Sequence, residues 1–435
     1  MVTTIQKEKP LVGFFPLFYN LSESGRAVLV AKRFAELGGK VIFFSHGGEY
    51  EYLAKDLGFE IVKVEPFFTK EILARYQSII RGEQKGQLYP EGFVEDAINN
   101  EIAAFKETEV KMIVSTHNYF STISARAANI PLVGITTGPG SYQISIPDFA
   151  ENIFTRLFPQ SVKVRFANRL LGRYVSHLKP FNEVAKKLNV KQLKSPNDMY
   201  KGDVTLATNF LEFINILPNQ KQYPSEDYIG IIVLEELFEN KFSDKNAQSI
   251  SNEIMNHIKV SEKSILVSMG SSGEKNLYLK ILQTLNKTNY KVIAVLTNIL
   301  DEAEIPKLND NILFKKYVPS IRQLHSMVDL SIIHGGQGTV YTAAYAGKPI
   351  IGFPMQFEQH LNLEKMVGHG AGLMLSKKHF DEQKLLGAFK NIFDNYDYFL
   401  SNSQALAQKL PKPEGDKNAA KRIIEILKNL DKSNQ

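Results

Sequence analysis

The feature that most constrains the fold is an alternation of short apolar runs with longer segments of helical periodicity. The runs are rich in Val, Ile and Phe and lack the polar alternation of a half-exposed strand. Strands that are apolar on both faces are typical of parallel sheets covered by helices on both sides, so the chain is predicted to be an α/β protein. The predicted strands are residues 11–15, 40–45, 59–64, 111–116, 131–136, 203–208, 263–269, 291–297, 330–333 and 349–353, and the first predicted helices are residues 25–37 and 49–57.

The alternation is interrupted at residues 235–246, a charged stretch without a β-rich run that is predicted to be an interdomain linker. A chain of 435 residues exceeds the size at which a single hydrophobic core keeps growing, so two domains are expected. We predict two Rossmann-like domains, residues 1–238 and 239–415, whose parallel sheets face each other across a cleft. Residues 416–435 follow a break in the pattern and are predicted to form a helix that packs back on the N-terminal domain.

Composition and charge narrow the possible functions. No cysteine is present, which excludes a disulfide framework, thiolate metal sites and thiol catalysis. The net charge of +6 suits an anionic ligand or an anionic membrane surface, but it is too diffuse to indicate nucleic acid binding. The polar N-terminus lacks the apolar core of a secretory signal, and no apolar stretch approaches the roughly 18 residues that cross a bilayer. A cytoplasmic location is therefore predicted.

The segment over residues 330–372 carries the strongest motif. It reads LSIIHGGQGTVYTAAYAGKPIIGFPMQFEQHLNLEKMVGHGAG, in which a buried strand ends at His334, a glycine-rich turn follows and a helix begins near residues 337–339. Glycines let the backbone approach a ligand closely, and the free N–H groups of a helix start favour an anion by about 0.3–1 kcal/mol for each charge. The predicted ligand is a diphosphate. The alternative is that the glycines only form a strand-to-helix turn and that His334 is a satisfied buried histidine.

This segment resembles the donor-binding signature of the nucleotide-sugar glycosyltransferases with the glycosyltransferase-B fold, a group that includes UDP-glucuronosyl, plant, sterol and macrolide transferases. The resemblance implies an inverting, metal-independent enzyme that moves a hexosyl group from a nucleotide-diphosphate sugar, with UDP favoured, to a hydroxyl of a lipid or small hydrophobic acceptor. It implies no cofactor besides this co-substrate, and it assigns the acceptor to the N-terminal domain. The matching residues are His334, Gly335, Gly336, Gly338, Thr339, Ala346, Gly347, Lys348, Pro349, Pro354, Glu358, Gln359, Asn362 and Gly370, with Tyr317, Val318 and Pro319 upstream.

The resemblance also implies roles for individual residues at the donor. Tyr317 would stack on the nucleobase and the backbone of Val318 would pair with its edge. The residues implied to approach the diphosphate are Gly270, Ser271, Ser272, His334, Gly336, Gly338 and Thr339, and those implied to hold sugar hydroxyls are Glu358 and Gln359. Two positions depart from the family: Glu358 stands where most relatives have Asp, and Thr342 stands where many have a ribose-binding Glu.

An inverting transfer needs a general base near the acceptor hydroxyl, worth roughly 10²–10⁴ in rate. Relatives use a His in the turn after the first strand, and that position falls on Glu23, which is the first candidate. His117 follows the strand at residues 111–116, near the Asp that orients the base in relatives; it could pair with Glu23 or act as the base itself. His46 is predicted to face the same rim. The alternative is that Ser22 caps a helix starting near Gly25 and that Glu23 only complements the helix dipole.

The acceptor side carries two further patterns. Residues 152–182 contain no acidic residue and interleave Arg and Lys with aromatic and aliphatic side chains, so residues 154–179 are predicted to contact an anionic membrane surface, on the inner face of the membrane, or alternatively to form the acceptor pocket. Residues 66–89 are a second candidate for the acceptor wall.

Other protein classes fit less well. No G-x-G-x-x-G with a downstream acidic residue follows a strand, which argues against a nicotinamide dehydrogenase. A nucleotide-sugar epimerase shares the architecture but fits the signature less well. The non-enzymatic alternative is a catalytically degenerate glycosyltransferase-like protein that binds and activates a partner enzyme, because the usual histidine is missing and Thr342 replaces the family glutamate.

Overall fold

The computed structural model describes residues 10–80, 84–137, 162, 177–194, 196–214, 224–241, 244–259, 263–270, 273–296, 299–300, 302–316, 318 and 320–433. Within these ranges the chain forms two six-stranded sheets, and every strand pairing in them is parallel. The predicted α/β class with two Rossmann-like sheets is confirmed.

The N-terminal sheet has the strand order β3-β2-β1-β4-β5-β6. Its central strands β1 and β4 are buried almost throughout, as the continuous apolar runs predicted. The strands are β1 (Leu11–Pro16), β2 (Lys40–Ser45), β3 (Ile61–Lys63), β4 (Met112–Thr116), β5 (Leu132–Thr136) and β6 (Val204–Ala207). The helices of this half are α1 (Leu21–Glu36), α2 (Tyr52–Lys55), α3 (Lys70–Ile80), α4 (Phe93–Glu107), α5 (Ser121–Ala127), α6 (Lys179–Lys187) and α7 (Leu211–Ile214).

The C-terminal sheet has the strand order β12-β11-β10-β7-β8-β9. Its strands are β7 (Ser264–Ser268), β8 (Lys291–Val295), β9 (Ile312–Lys315), β10 (Leu330–Ile333), β11 (Ile350–Gly352) and β12 (Gly372–Met374). Its helices are α8 (Asp244–Ile258), α9 (Lys275–Leu285), α10 (Ile321–Met327), α11 (Gln337–Ala346), α12 (Phe357–Gly368), α13 (Glu382–Asp394) and α14 (Tyr396–Lys409). The edge strands β9 and β12 were not predicted, because each is short and only one of its residues is buried.

The charged stretch predicted as a linker is largely helical, with a 3-10 helix at Glu235–Lys241 followed by α8. The last helix, α15 (Gly415–Ser433), packs along α1. Its residues Ala419, Ala420 and Ile423 are fully buried in the core that also holds β1 and α1. An ion pair of 2.6 Å between Arg33 Nε and Asp416 Oδ2, two largely buried side chains, joins the two helices. The helix thus follows the C-terminal sheet in the chain but completes the core of the N-terminal one.

Among the described residues, no helix combines the length and the apolar character that crossing a membrane requires.

Candidate active site

Each sheet reverses its strand order at one place, between β1 and β4 in the N-terminal sheet and between β7 and β10 in the C-terminal sheet. Ligands of open parallel sheets bind in the crevice outside the carboxyl ends of the strands at such switch points. The predicted site residues follow these four strands: Glu23 follows β1, His117 follows β4, Gly270 follows β7 and His334 follows β10. The topology therefore places both predicted half-sites at the positions where a ligand is expected.

The imidazole of His334 fits between two glycines of the C-terminal sheet. A Cβ atom on Gly336 would lie 2.5 Å from Nε2 of His334, and one on Gly270 would lie closer still to the ring. Gly270 also has a φ of +57°, in the left-handed region that disfavours other residues. The glycines are therefore needed to admit the histidine ring.

His334 is an uncharged group in this position. It is 5% exposed, and burial lowers its pKa to about 4. Among the described residues its Nδ1 atom makes no hydrogen bond of good geometry, although the backbone of Ser268 lies close enough to the ring to act against the lowering of its pKa. A buried polar atom without a partner is costly, so a ligand that bonds to this nitrogen would be favoured.

The helix start beside His334 is open to a ligand. Gly336 is the N-cap of α11 and no side chain caps the helix. Gly338 is exposed and has open space where its side chain would lie, and Thr339 is half-buried next to it. Uncapped N–H groups at a helix start form an anion site, which fits the predicted diphosphate.

The side chain of Asn362 in α12 supports the glycine turn after β10. Asn362 Nδ2 donates to the carbonyl of Gly335 over 3.1 Å and to Glu358 Oε1 over 2.7 Å. Glu358 is exposed at the cleft, whereas Gln359 is buried and accepts a 2.8 Å hydrogen bond from the backbone of Met355. Of the predicted sugar-binding pair, Glu358 is therefore the more accessible.

Three predicted donor residues, Tyr317, Ser271 and Ser272, lie outside the described residues. Val318 is half-buried and packs on the small core beneath α10. The hydroxyl of Thr342 bonds to backbone carbonyls within its own helix, 3.0 Å from Gly338 O and 2.9 Å from Thr339 O. Thr342 therefore does not stand in for the family glutamate at a ribose in this conformation.

In the N-terminal half, Glu23 and His117 come together. Nδ1 of His117 lies 2.8 Å from Oε2 of Glu23, and Nη1 of Arg26 lies 2.8 Å from Oε1. Burial on its own would raise the pKa of Glu23, but the charges and hydrogen bonds of Arg26 and His117 outweigh it and bring that pKa to about 2. Glu23 is therefore ionised at every physiological pH, while His117 keeps about a fifth of its side chain exposed.

Local structure explains this pairing. Asn20 caps α1 by accepting from the N–H groups of Ser22 and Glu23, so the helix begins at Leu21, one turn earlier than predicted, and Ser22 is not the cap. Glu23 is thereby fixed in the first turn, where it also complements the helix dipole. His117 follows β4 with a φ of +58°, which turns it out of the strand direction.

His46 does not face this rim. It is 2% exposed and lies 2.9 Å from Oε1 of the fully buried Glu101. Neither Glu101 nor the ion-pair partner Arg26 was predicted from the sequence. Arg26 was open to prediction, because residues three apart on a helix are neighbours and Arg26 stands three positions after Glu23.

An aromatic wall lies beside His117. The ring centroid of Tyr200 is 4.8 Å from that of His117, and the hydroxyl of Tyr119 lies 3.3 Å from that of Tyr200 and 2.9 Å from that of Tyr76. Burial raises the pKa of all three tyrosines, so their hydroxyls stay protonated. Phe68, from the predicted acceptor wall at residues 66–89, packs on the same aromatic cluster.

The two half-sites are joined directly. Gln337 at the start of α11 donates to the carbonyl of Thr208 over 2.8 Å, and the hydroxyl of Tyr341 donates to Asn209 Oδ1 over 3.1 Å. The protein groups that surround Glu358 displace much of its water and raise its pKa, even though its side chain reaches solvent, and this effect outweighs the opposite effects of Asn362 and Arg26. Among the described residues no cluster of three or more His, Asp or Glu side chains has the geometry of a metal site.

Comparison with known proteins agrees with this architecture. Residues 279–426 match the family described as erythromycin biosynthesis protein CIII-like, C-terminal domain. The crystal structure of the glycotransferase of kitacinnamycin superposes with a TM-score of 0.65 at 15% identity, over 96% of this chain and 99% of its own. The spinosyn rhamnosyltransferase complexed with thymidine diphosphate superposes with a TM-score of 0.60 at 14% identity, over 95% of this chain and 100% of its own.

These superpositions show that the chain has the glycosyltransferase-B fold. Among curated proteins, an uncharacterized UDP-glucosyltransferase of Bacillus subtilis is 23% identical over 283 residues, 62% of this chain and 66% of its own length. A PGL/p-HBAD biosynthesis glycosyltransferase of Mycobacterium tuberculosis is 24% identical over 296 residues, 66% of this chain and 64% of its own length. The match therefore spans just under two thirds of each of these two glycosyltransferases.

Proposed function

We propose that this chain transfers a hexosyl group from a nucleotide-diphosphate sugar, with UDP favoured, to a hydroxyl of a small hydrophobic or lipid acceptor, with inversion at the anomeric carbon. The observation that carries the proposal is the pairing of two half-sites at the switch points of the two sheets. One holds the Glu23–His117 pair, and the other holds the glycine turn with the neutral His334.

In this proposal His117 is the general base and Glu23 orients it, which reverses the first assignment from the sequence. A carboxylate that is ion-paired with Arg26, whose charge lowers its pKa, is too weak a base to take a proton from an alcohol near neutral pH. Because Nδ1 of His117 faces the carboxylate, that nitrogen carries the proton and Nε2 is left as the basic atom. The carboxylate and the imidazole thus stand in the opposite chain order from that of the family.

The acceptor hydroxyl gives its proton to Nε2 of His117 as its oxygen forms a bond to the anomeric carbon. The bond from that carbon to the diphosphate oxygen breaks on the opposite face, and the nucleoside diphosphate leaves with the electron pair. The N–H groups at the start of α11 and the glycine turn stabilise the charge that develops on the leaving phosphate, a role that needs no metal ion.

For the acceptor, the aromatic wall supports a hydrophobic molecule. Tyr119 and Tyr200 combine an apolar ring with a protonated hydroxyl, and Tyr200 lies against the proposed base. Most of the segment proposed to contact a membrane, residues 154–179, lies outside the described residues. Membrane contact and a cytoplasmic location therefore remain predictions from the sequence.

The test is nucleotide release from a panel of UDP- and TDP-sugars, with aromatic alcohols or a lipid extract as acceptors, and mass spectrometry of the products. We expect a glycosylated acceptor with the wild-type chain and a loss of at least about 10²-fold in turnover with His117→Ala, at unchanged nucleotide affinity. Tight nucleotide binding without release from any donor would contradict the proposal and favour the alternative of a partner-activating protein.

A further inference from the structure

The backbone around His117 is held in an unfavourable conformation. Its φ of +58° lies in the left-handed region, which costs a residue with a Cβ of the order of 1 kcal/mol. Such a conformation persists only when surrounding contacts enforce it. The contact between His117 and Glu23 fixes the ring but not the backbone, so something else must hold the turn.

The next residue, Asn118, supplies that hold. It is 1% exposed, and its Nδ2 donates to Glu101 Oε1 over 2.8 Å. Its Oδ1 accepts from the N–H of Phe120 over 3.2 Å, and its carbonyl accepts from the hydroxyl of Ser115 over 3.2 Å. The side chain and the carbonyl of Asn118 thus hold the backbone immediately after His117 through three hydrogen bonds.

Glu101 is the anchor of this arrangement. It lies in the middle of α4, is fully buried, and uses both carboxylate oxygens. Oε1 accepts from Asn118 and faces Nε2 of His46 at 2.9 Å, while Oε2 accepts from the hydroxyls of Ser121, at 3.4 Å, and Ser124. One carboxylate of α4 therefore holds both the turn after β4 and the first turn of α5.

His46 completes the anchor. Its Nδ1 faces only backbone carbonyls, Val64 O at 2.9 Å and Pro66 O at 3.2 Å, and a carbonyl cannot donate, so Nδ1 carries a proton. Its Nε2 faces the carboxylate of Glu101 at 2.9 Å, so the ring joins that carboxylate to the backbone after β3. A buried carboxylate needs such a partner, since an unpaired buried charge is strongly unfavourable.

We infer that Glu101, paired with His46, is a positioning residue that holds the base His117 through Asn118. This inference rests on the proposed function, because it gives a role to residues that touch neither substrate. Two carboxylates then act on the base from different sides: Glu23 fixes its ring, and Glu101 fixes its backbone. A misplacement of about 1 Å in a catalytic group can cost about 10²-fold in rate.

The test compares Glu101→Gln and Asn118→Ala with the wild-type chain. Glu101→Gln keeps the shape but removes the carboxylate that contacts both His46 and Asn118, while Asn118→Ala keeps the Glu101–His46 contact and cuts its link to the turn. Both variants are expected to lower kcat about tenfold to hundredfold, with the donor KM unchanged because the donor binds in the other half. The matched control is Asp227→Asn, which removes another buried, ion-paired carboxylate of the N-terminal half, partnered by Arg422.

Two readouts separate positioning from a general loss of stability. The first is the pH profile of kcat/KM, which is expected to shift in both variants and to stay unchanged in Asp227→Asn. The second is the imidazole NMR signal of His117 in protein labelled with 15N-histidine, assigned through its loss in His117→Ala. If Glu101→Gln does not fold, Asn118→Ala decides.

The outcomes are distinct. Shifted His117 signals with reduced kcat support the inference, and wild-type signals, kcat and pH profile in both variants would overturn it. If the wild-type chain transfers no sugar at all, the proposed function fails, while the NMR comparison still decides whether Glu101 holds His117.

Discussion

The two halves of the molecule share a sheet topology, but one half-site is formed mainly by backbone groups and the other by side chains. The C-terminal half uses backbone: glycines that admit a neutral histidine, and a helix start whose N–H groups are uncapped. The N-terminal half uses charged and hydroxyl-bearing side chains from separate elements, with Glu23 from α1, His117 after β4 and Tyr200 before β6. A site made of backbone suits a constant ligand such as a diphosphate, and a site made of side chains can change with the acceptor.

The largest effect is expected when the backbone of the C-terminal half-site is altered. In Gly270→Ala the added Cβ meets the ring of His334 and the residue must keep a φ of +57°. We expect UDP affinity, measured by calorimetry, to fall at least about 100-fold, because the ring is displaced from the phosphate site.

The control is Gly387→Ala in α13, where nothing lies within 4 Å of the added atom. This variant should bind UDP normally and gain up to about 1 kcal/mol in stability, since alanine favours a helix. Equal UDP affinity in the two variants would contradict a backbone-built donor site.

A second prediction concerns the carboxylate of Glu23 in the N-terminal half-site. The folded-state pKa of Glu23, about 2, lies below its ordinary value of 4.5, so the carboxylate stabilises the fold above pH 4.5 and this contribution is lost as the pH falls to 2. The free energy of unfolding of the wild type, measured by chemical denaturation, should therefore fall by about 3 kcal/mol more between pH 5 and pH 2 than that of Glu23→Gln.

Glu183→Gln serves as the reference, because Glu183 is an exposed partner of Lys179 at the surface. It should follow the wild type at every pH. A parallel acid dependence of Glu23→Gln and the wild type would show that Glu23 is not the stabilising carboxylate described here.

The smallest effect is expected at the aromatic wall. Tyr200→Phe keeps the ring beside His117 and removes only the hydroxyl that bonds to Tyr119. The acceptor KM should rise a few-fold with little change in kcat, in keeping with the loss of one hydrogen bond of about 1 kcal/mol. Tyr398→Phe, at an exposed tyrosine of the other half, should leave both constants unchanged.

The same contrast explains what the sequence could predict. The donor signature is contiguous from residue 330 to 372, so the positions of His334 and the start of α11 followed from the glycine pattern alone. The contact between Glu23 and His117 joins residues 94 positions apart and depends on how β1 and β4 pair. The sequence placed both residues at the same rim, but which one is the base depends on the surrounding charges.

The partners of Glu101 could not be predicted from its local sequence. It stands on the buried face of α4 together with Ala97, Ile98, Ala104 and Phe105, at spacings typical of one helix face. A carboxylate on an otherwise apolar face signals a buried partner, yet the sequence does not say which partner. Two partners, His46 and Asn118, come from turns after different strands, and only the assembled sheet brings them within reach.

The position of α15 has a consequence for how the protein is made. This helix emerges from the ribosome after both sheets, yet Ala419 and Ile423 complete the core around β1 and α1. The half that carries the proposed base therefore waits, during synthesis, for a segment translated after the other half is finished. The apolar face of α1 that α15 covers stays open to chaperones or to aggregation for that interval, and the N-terminal core is complete only once α15 has been translated.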